Sequence, residues 1–269
     1  MQTIKKLFLA ICPEGVLGTK IRLVLALLTC SIPMGAQDST LTERVNGVSF
    51  TMVRVLGGRF AMGCTAEQAG GCRSNEYPAH QATMSDYFIG ETEVTRALWN
   101  AVMKTDAGKN TTCGDCPIDD VTWSEVQRFI GELNALTGKA YRLPTEAEWE
   151  FAARGGQKGE GHTFSGGQVV QDLAWMKTNA EGKTHPVKSK IPNELGLYDL
   201  SGNVWEWCSD WYGAYTSESQ TDPTGPSTGT YRVIRGGDFK SSPPYCRLSV
   251  RFYGIPDGSE GQGFRLALQ

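Results

Sequence analysis

Residues Gly196 to Tyr212 restrict the possible folds of this chain more than any other segment. Their sequence, GLYDLSGNVWEWCSDWY, places three tryptophans within seven residues and includes the polar side chains of Asp199, Asn203, Glu206 and Asp210. The segment is too aromatic for an ordinary surface loop, and a carboxylate inside a core needs fixed partners to replace its lost hydration. We therefore predict a core segment, either in an enzyme or in a scaffold that keeps an enzyme's fold.

Length and charge narrow the classes of protein. The chain has 269 residues, enough for one large domain or two small ones, and a formal net charge of -3. A protein that reads DNA or RNA normally carries a basic face, so we expect no nucleic-acid partner. The 32 glycines and 12 prolines, without a long apolar periodic segment after residue 36, predict a loop-rich domain.

The first 36 residues have the features of a secretory signal peptide. Basic residues precede a short apolar run from Leu23 to Leu28, and Met34-Gly-Ala36 provides small residues for cleavage. The run is too short to span a bilayer. We predict that residues 1–36 are a signal peptide and that residues 37–269 form one domain, exported to the periplasm, the cell surface or the medium. A weak lipoprotein box ending at Cys30 leaves lipid anchoring as an alternative.

The cysteines of the mature chain predict disulfide bonds. If cleavage follows Ala36, six remain: Cys64, Cys72, Cys113, Cys116, Cys208 and Cys246. An even number in an exported protein favours disulfides over free thiols. The first two and the next two are close enough in sequence for local bonds, which leaves Cys208 to pair with Cys246. A redox-active pair is the alternative for the Cys-Gly-Asp-Cys motif.

Local patterns predict the secondary structure. Alternating apolar residues between Val45 and Met62 predict two strands around a Gly57-Gly58 turn, and Phe88 to Gly90 predicts another short strand. N-capping residues mark three helices. These caps are Thr95 and the capping boxes that begin at Thr122 and Thr145. Helices in the first half and irregular strands in the second predict an α+β fold.

Several long motifs resemble those of the formylglycine-generating enzymes, also called sulfatase-modifying factors, and occur in the same order. They are YPAH at 77–80, ETEVT at 91–95, RLPTEAEWE at 142–150, GLYDLSGNVWEW at 196–207, RGG at 235–237 and GFR at 263–265. The resemblance covers roughly residues 45 to 268. It implies the family's variant of the C-type-lectin fold, with little regular secondary structure.

The resemblance also identifies a position for catalysis. The family's enzymes oxidise a cysteine of an unfolded sulfatase to formylglycine, using molecular oxygen and a copper ion held by two cysteines. In this chain Cys246 falls on the second copper ligand, but Ser241 falls on the first. A serine hydroxyl cannot replace a thiolate as a ligand of the soft Cu(I) ion. We therefore expect neither copper nor catalysis, with Cys246 as a weak catalytic candidate.

A structural calcium site is the second expectation from the resemblance. Its ligands would be the side chains of Asp199 and Glu206 and the backbone carbonyls of Gly202 and Val204, all oxygen donors of the type that Ca²⁺ prefers. The ion would stabilise a loop-rich domain. The alternative is that the two acids only cap turns. The resemblance also implies a second calcium site near residues 173–174 and 179–182.

The segment from residue 238 to residue 262 has the composition of a binding surface. Aromatic and small polar residues are mixed in it without strand or helix periodicity, as in adaptable binding surfaces. Its candidate ligand-binding residues are Asp238, Phe239, Lys240, Ser241, Ser242, Tyr245, Phe252, Tyr253, Ile255, Ser259 and Glu260. The layout resembles the variable proteins of diversity-generating retroelements, which carry a mutable ligand-binding segment at the carboxyl terminus. The alternative is an ordinary surface segment.

Three functions remain from the sequence. The first is an exported, calcium-stabilised and non-catalytic module that binds a protein or a glycan through residues 238–262. The second is a copper-dependent oxidase that converts a sulfatase cysteine to formylglycine. The third is a structural component of a cell-envelope or secretion assembly. The serine at position 241 favours the first over the second.

Overall fold

The computed structural model describes residues 39–68, 70–105, 113–258 and 260–269. The predicted signal peptide, residues 1–36, and Ser259 lie outside these residues. The described strands are β1 (Thr40–Val45), β2 (Val48–Val55), β3 (Gly58–Met62), β4 (His80–Met84), β5 (Tyr87–Gly90), β6 (Trp205–Trp211), β7 (Gln220–Thr221), β8 (Arg232–Arg235), β9 (Arg251–Gly254), β10 (Gln262–Gly263) and β11 (Ala267–Leu268). The described α-helices are α1 (Arg96–Met103), α2 (Trp123–Thr137), α3 (Glu146–Ala153) and α4 (Val170–Leu173).

The described strands form three small sheets. Their orders are β1-β2-β5-β11, β10-β6-β8-β9 and β3-β4-β7. The two strands predicted around Gly57-Gly58 are present, but they do not pair with each other, because β2 pairs with β1 and β5 while β3 pairs with β4. Between β2 and β3 the chain passes close to the end of β4. Glycine is needed there at position 57, since a Cβ atom would lie 2.3 Å from the carbonyl oxygen of Met84.

The predicted N-caps begin the three longer helices. Thr95 Oγ1 accepts a hydrogen bond from the backbone N–H of Leu98 in α1, and the capping boxes at Thr122 and Thr145 are both complete. Helix α2 ends at Gly138, which has a φ of 68°, as expected for a left-handed C-cap. Local sequence signals therefore located these helices correctly.

No helix of the described residues is long and apolar enough to cross a membrane.

The second sheet lies between two hydrophobic clusters. Trp207 of β6 and Ile234 of β8 belong to the cluster formed with α1 and α2, whereas Cys208 of β6 belongs to the cluster formed with α3. Because neighbouring side chains of a strand point to opposite faces, β6 contributes to both clusters. Trp207 and Cys208 are fully buried. This confirms that the tryptophan-rich segment is part of the core.

Helix α3 is buried on all sides. Its three glutamates are paired with arginines, two of which come from distant parts of the chain. The ion pairs are Glu146 with Arg251, Glu148 with Arg142, and Glu150 with Arg235. Paired and hydrogen-bonded carboxylates can be buried, whereas isolated ones cannot. The pairs with Arg251 and Arg235 therefore connect α3 to the sheet that contains β8 and β9.

We expect the substitution Glu150→Gln to destabilise the protein by about 3 kcal/mol, because it leaves the guanidinium of Arg235 without its main counter-charge. The side chains of both Glu150 and Arg235 are 0% exposed. Urea unfolding followed by tryptophan fluorescence would measure the loss. The matched control is Arg54→Ala, which breaks the ion pair with the half-exposed Asp86 and should cost less than about 1 kcal/mol. Equal losses in the two variants would contradict the expectation.

Candidate functional site

Two of the three predicted disulfides are present. Cys64 is bonded to Cys72, and Cys113 is bonded to Cys116. The carbonyl oxygen of Cys116 accepts a hydrogen bond of 2.9 Å from the backbone N–H of Arg96, the first residue of α1. The second disulfide thus closes a short loop that is fastened to the start of this helix.

The third predicted disulfide, between Cys208 and Cys246, is wrong. Both residues are buried free cysteines. Cys208 packs in the cluster that contains Leu248, whereas Cys246 packs in a separate cluster with Ala174 and Met176. Assigning the last two cysteines by elimination failed because each thiol occupies its own apolar environment, where cysteine behaves as a small hydrophobic residue.

The segment that the resemblance aligns with the copper centre contains a hydroxyl and a carboxylate near one thiol. Ser241 Oγ donates a hydrogen bond of 2.5 Å to Asp238 Oδ1 and accepts one of 3.1 Å from the Asp238 backbone N–H. Burial, and to a smaller extent the charge of Asp238, raises the pKa of Cys246 to about 12. The thiol is therefore protonated at neutral pH. These donors do not fit Cu(I), which selects soft thiolate ligands.

The predicted calcium ligands lie in a buried polar cluster. The carboxylate of Glu206 accepts hydrogen bonds of 2.6 and 2.7 Å from the guanidinium of Arg265 and one of 2.8 Å from Trp149 Nε1. Asp199 Oδ2 accepts a hydrogen bond of 2.9 Å from the backbone N–H of Lys188. Asp199 Oδ1 is buried and has no hydrogen-bond partner among the described residues. Glu206 is thus engaged by the protein, whereas Asp199 keeps one oxygen available.

Glu93 belongs to the same cluster and was missed by sequence reasoning. It is 1% exposed, and neither carboxylate oxygen has a hydrogen-bond partner within the described residues. Burial, followed by the charges of Asp199 and Glu206, raises the pKa of Glu93 well above its usual value. The available signal was its position, two residues before the N-cap Thr95 and inside a family motif.

The charge of this cluster fits a divalent cation. Three carboxylates, those of Glu93, Asp199 and Glu206, surround one guanidinium, that of Arg265, and their mutual charge effects are seen in the pKa of Glu93. Ionised, they would leave two negative charges in excess in a buried site. No group of three or more His, Cys, Asp or Glu in the described ranges forms a metal site by side chains alone. Backbone carbonyls would therefore have to complete the coordination of a hard cation.

The loop expected to hold a second calcium is closed by an amide side chain. Asn179 Oδ1 accepts a hydrogen bond of 2.8 Å from the backbone N–H of Met176, and Asn179 Nδ2 donates one of 2.9 Å to the carbonyl oxygen of Ala174. One neutral side chain thus joins the two ends of this loop. The position of the second site stays an expectation.

The candidate ligand-binding residues near the amino-terminal end of the 238–262 segment are mostly covered. Asp238 and Phe239 are each 6% exposed. They therefore pack inside the protein and leave little surface for a ligand. Ser241, Ser242 and Tyr245 are half-buried. These five residues surround the position that the resemblance aligns with copper, and most of their surface is already in contact with the protein.

The exposed candidates are Lys240, Phe252, Tyr253, Ile255 and Glu260. Among the apolar ones, Phe252 is 38% exposed, Tyr253 43% and Ile255 62%. Tyr231, which the sequence did not single out, is 38% exposed, and its ring centroid lies 4.7 Å from that of Tyr253. We call the surface formed by Tyr231, Phe252, Tyr253 and Ile255 the aromatic surface. It is carried by β9 and the residues flanking β8 and β9.

The profile of the sulfatase-modifying factor enzyme 1-like domain matches residues 39–269. The formylglycine-generating enzyme of Streptomyces coelicolor is 36% identical over an alignment that covers 80% of this chain and 88% of that enzyme. The chain therefore belongs to the formylglycine-generating enzyme (sulfatase-modifying factor) family.

Solved structures confirm the fold. Treponema denticola variable protein 1 aligns with a TM-score of 0.75 and 31% identity, covering 86% of this chain and 99% of that protein. PvdO from Pseudomonas aeruginosa aligns with a TM-score of 0.75 and 26% identity, with the same two coverages. The α+β, C-type-lectin-like fold implied by the motifs is thus confirmed.

We expect two thiols per molecule when a chain that begins at residue 37, with its six cysteines, is unfolded without reductant and alkylated. Peptide mapping should locate the label at Cys208 and Cys246. The native protein should take up no label at pH 8 within minutes, because both thiols are buried and a protonated thiol is a poor nucleophile. A reduced sample, which should take up six labels, is the control. An unfolded, unreduced sample without label would restore the Cys208–Cys246 disulfide.

Proposed function

We propose that this protein is an exported, non-catalytic member of its family that binds a protein or glycan ligand through the segment 238–262. The observation that carries the proposal is the aromatic surface on this segment and on Tyr231. Calcium, in this proposal, is a structural ion that stabilises the fold behind the surface.

The composition and exposure of the aromatic surface support a binding role. Tyrosine and tryptophan are enriched at the residues that contribute most to binding free energy, because they bury a large area at a small loss of side-chain entropy. Tyr253 lies between two other tyrosines, with ring centroids 5.1 Å from Tyr212 and 4.7 Å from Tyr231. Neighbouring aromatic rings thus restrict its movement. A restricted ring loses less conformational freedom on binding than a mobile one.

The Asp238–Ser241 hydrogen bond supports the absence of oxidase activity. Ser241 offers a neutral hydroxyl where the family's enzymes have a copper ligand, and that hydroxyl is bound to Asp238. The thiol of Cys246 would have to lose its proton in a site where burial raises its pKa. A single thiol among hard oxygen donors is a poor binding site for Cu(I).

A similar protein supports the location of the binding surface. Treponema denticola variable protein 1, which is 31% identical to this chain, is named for its variability. A fold that accepts variable residues suits a surface that changes its ligand without changing its core. The mixture of aromatic and small polar residues between positions 238 and 262 is consistent with such a surface.

The proposal is tested first by binding. Purified protein lacking residues 1–36 is applied to a glycan array and to an array of bacterial surface proteins. We expect a ligand whose affinity falls about tenfold or more in the Tyr253→Ala variant, as for a central interface tyrosine. The matched control is Val169→Ala, which truncates another exposed apolar residue (57% exposed) outside the segment and should not change binding. Equal losses, or no loss in Tyr253→Ala, would contradict the proposed surface.

The oxidase is tested with the same preparation. Wild type is incubated with Cu(I), oxygen and a peptide that carries a sulfatase motif, and aldehyde formation is followed by mass spectrometry. We expect no aldehyde and no copper retained after desalting. The Ser241→Cys variant should retain Cu(I), because it restores a second sulfur ligand. Turnover by wild type would overturn the non-catalytic proposal and favour the oxidase.

Glu93, Asp199 and Glu206, with the backbone carbonyls of Gly202 and Val204, are the proposed calcium site. A bound Ca²⁺ would offset the excess negative charge described above. A ligand that binds only the folded state at 100 times its Kd stabilises the protein by about 2.7 kcal/mol. We therefore expect the melting temperature to be higher in the presence of calcium than in the presence of EDTA.

The variant Glu93→Gln should separate this site from nonspecific effects of calcium. It removes a carboxyl group that is costly to ionise in this buried site, so we expect it to be at least as stable as wild type in EDTA but to lose the increase in melting temperature with calcium. Glu132→Gln, at an exposed glutamate of α2, should keep the full increase. A calcium effect of the same size in all three proteins would contradict the assigned site.

A further inference from the structure

A second candidate site lies at the opposite end of β6 from the calcium cluster. A cavity of about 620 Å³ opens between the chain that follows β6, residues 213–226, and the first turn of α3. Asp210, near the end of β6, lies at its buried floor, whereas Thr216 and Thr224 lie at its exposed rim. Asp210 and Glu206 are four residues apart on the strand, which corresponds to about 13 Å. The volume is in the range of small-ligand sites.

The other acid at the floor is already neutralised. Both carboxylate oxygens of Glu146 accept hydrogen bonds from the guanidinium of Arg251, over 2.8 and 2.6 Å. The hydroxyl of Tyr215 donates a third, of 3.0 Å, to Glu146. Neither Glu146 nor Arg251 therefore has an uncompensated charge to offer a ligand.

Asp210 differs from Glu146 because it forms no ion pair in the part of the chain that the structure describes. The guanidiniums of Arg142 and Arg232 act on it only through longer-range electrostatics. Its Oδ2 accepts hydrogen bonds of 3.0 Å from the backbone N–H of Glu146 and from Ser209 Oγ. Its Oδ1 accepts no hydrogen bond from the described residues, and no ion pair to Asp210 is found among them. The residue is only 4% exposed. Burial, and then the charge of Glu146, raises its pKa to about 7, as expected for a buried carboxylate without a direct ion pair.

The single available oxygen selects the shape of a cationic ligand. A guanidinium binds carboxylates best through two parallel hydrogen bonds, but Asp210 Oδ2 is already occupied. An ammonium is a compact charge and can bind one oxygen. The cavity is also lined by the apolar side chains of Met62, Trp211 and Pro226, which suit an aliphatic stem behind the charge.

We propose that this cavity binds a primary ammonium group on an unbranched aliphatic stem, as in the lysine side chain of a protein ligand, with Asp210 Oδ1 as the acceptor. The ammonium supplies the direct ion pair that Asp210 lacks, and the stem replaces water against the apolar lining. The proposed partner is therefore a protein with an exposed lysine.

The test compares two probes of nearly equal shape. Nα-acetyl-L-lysine methylamide and Nα-acetyl-L-norleucine methylamide differ in the terminal ammonium. Each is titrated into the purified chain, and binding is followed by ligand-observed NMR. We expect the lysine probe to bind at least about tenfold more tightly than the norleucine probe, since only the lysine probe can form a charge-assisted hydrogen bond with Asp210.

The Asp210→Asn variant tests the acceptor. Its side-chain carbonyl can still accept the hydrogen bond from the Glu146 backbone N–H, so the start of α3 is preserved while the charge is removed. We expect binding of the lysine probe to fall roughly 10- to 100-fold. Asp172→Asn, at an exposed aspartate of α4, is the matched control and should bind as wild type does. Thermal melts confirm that both variants are folded.

Three results would overturn the proposal. They are equal binding of the two probes, unchanged binding of the lysine probe by a folded Asp210→Asn variant, and no binding of the lysine probe by wild type up to about 10 mM. If Asp210→Asn does not fold, the comparison of the two probes on wild type still decides. None of these measurements uses a residue of the aromatic surface, so failure here is distinct from failure of the proposed function.

Discussion

The buried pairing of glutamates with arginines is the interaction on which the rest of this structure depends. Glu150 with Arg235 and Glu206 with Arg265 join segments that are 85 and 59 residues apart in sequence. The described strands are short, and the hydrophobic core is divided into clusters. Any arrangement of the chain that separates such a pair leaves a buried charge without compensation and is costly. The arrangement that satisfies every pair is therefore strongly favoured. The family motifs at 142–150, 196–207, 235–237 and 263–265 are the segments that supply these charges.

Local chemistry could be predicted from the sequence, whereas tertiary pairing could not. The caps at Thr95, Thr122 and Thr145 were predictable because a helix N-terminus is satisfied within a few residues. The short disulfides were predictable because their cysteines are close in sequence. The Cys208–Cys246 bond was wrong because the face of β6 on which Cys208 packs depends on the whole sheet and cannot be read from the local sequence. The overall fold came from the resemblance, since no local pattern reports how three small sheets are arranged.

Strand β6 places different chemistry at its two ends. Near its start, Glu206 is bound to Arg265 beside the unpaired oxygens of Asp199 and Glu93. Near its end, Asp210 faces the cavity under residues 213–226. Sequence reasoning grouped these acids in one motif and assigned a calcium role to the first. No separate role was predicted for Asp210, because its lack of an ion pair is apparent only once the residues around it in the fold are known.

The two buried free thiols have a consequence for the order of oxidative folding. Six cysteines after residue 36 can form 15 sets of three disulfides, yet the native state uses only two bonds, with sequence separations of 8 and 3. Short loops close at a smaller entropic cost than long ones, which favours these bonds early in folding. Packing of Cys208 and Cys246 into separate clusters then withdraws both from oxidants. In an oxidising compartment the core thus acts as a kinetic barrier to mispairing, and a slow step in core formation would appear as disulfide-linked oligomers.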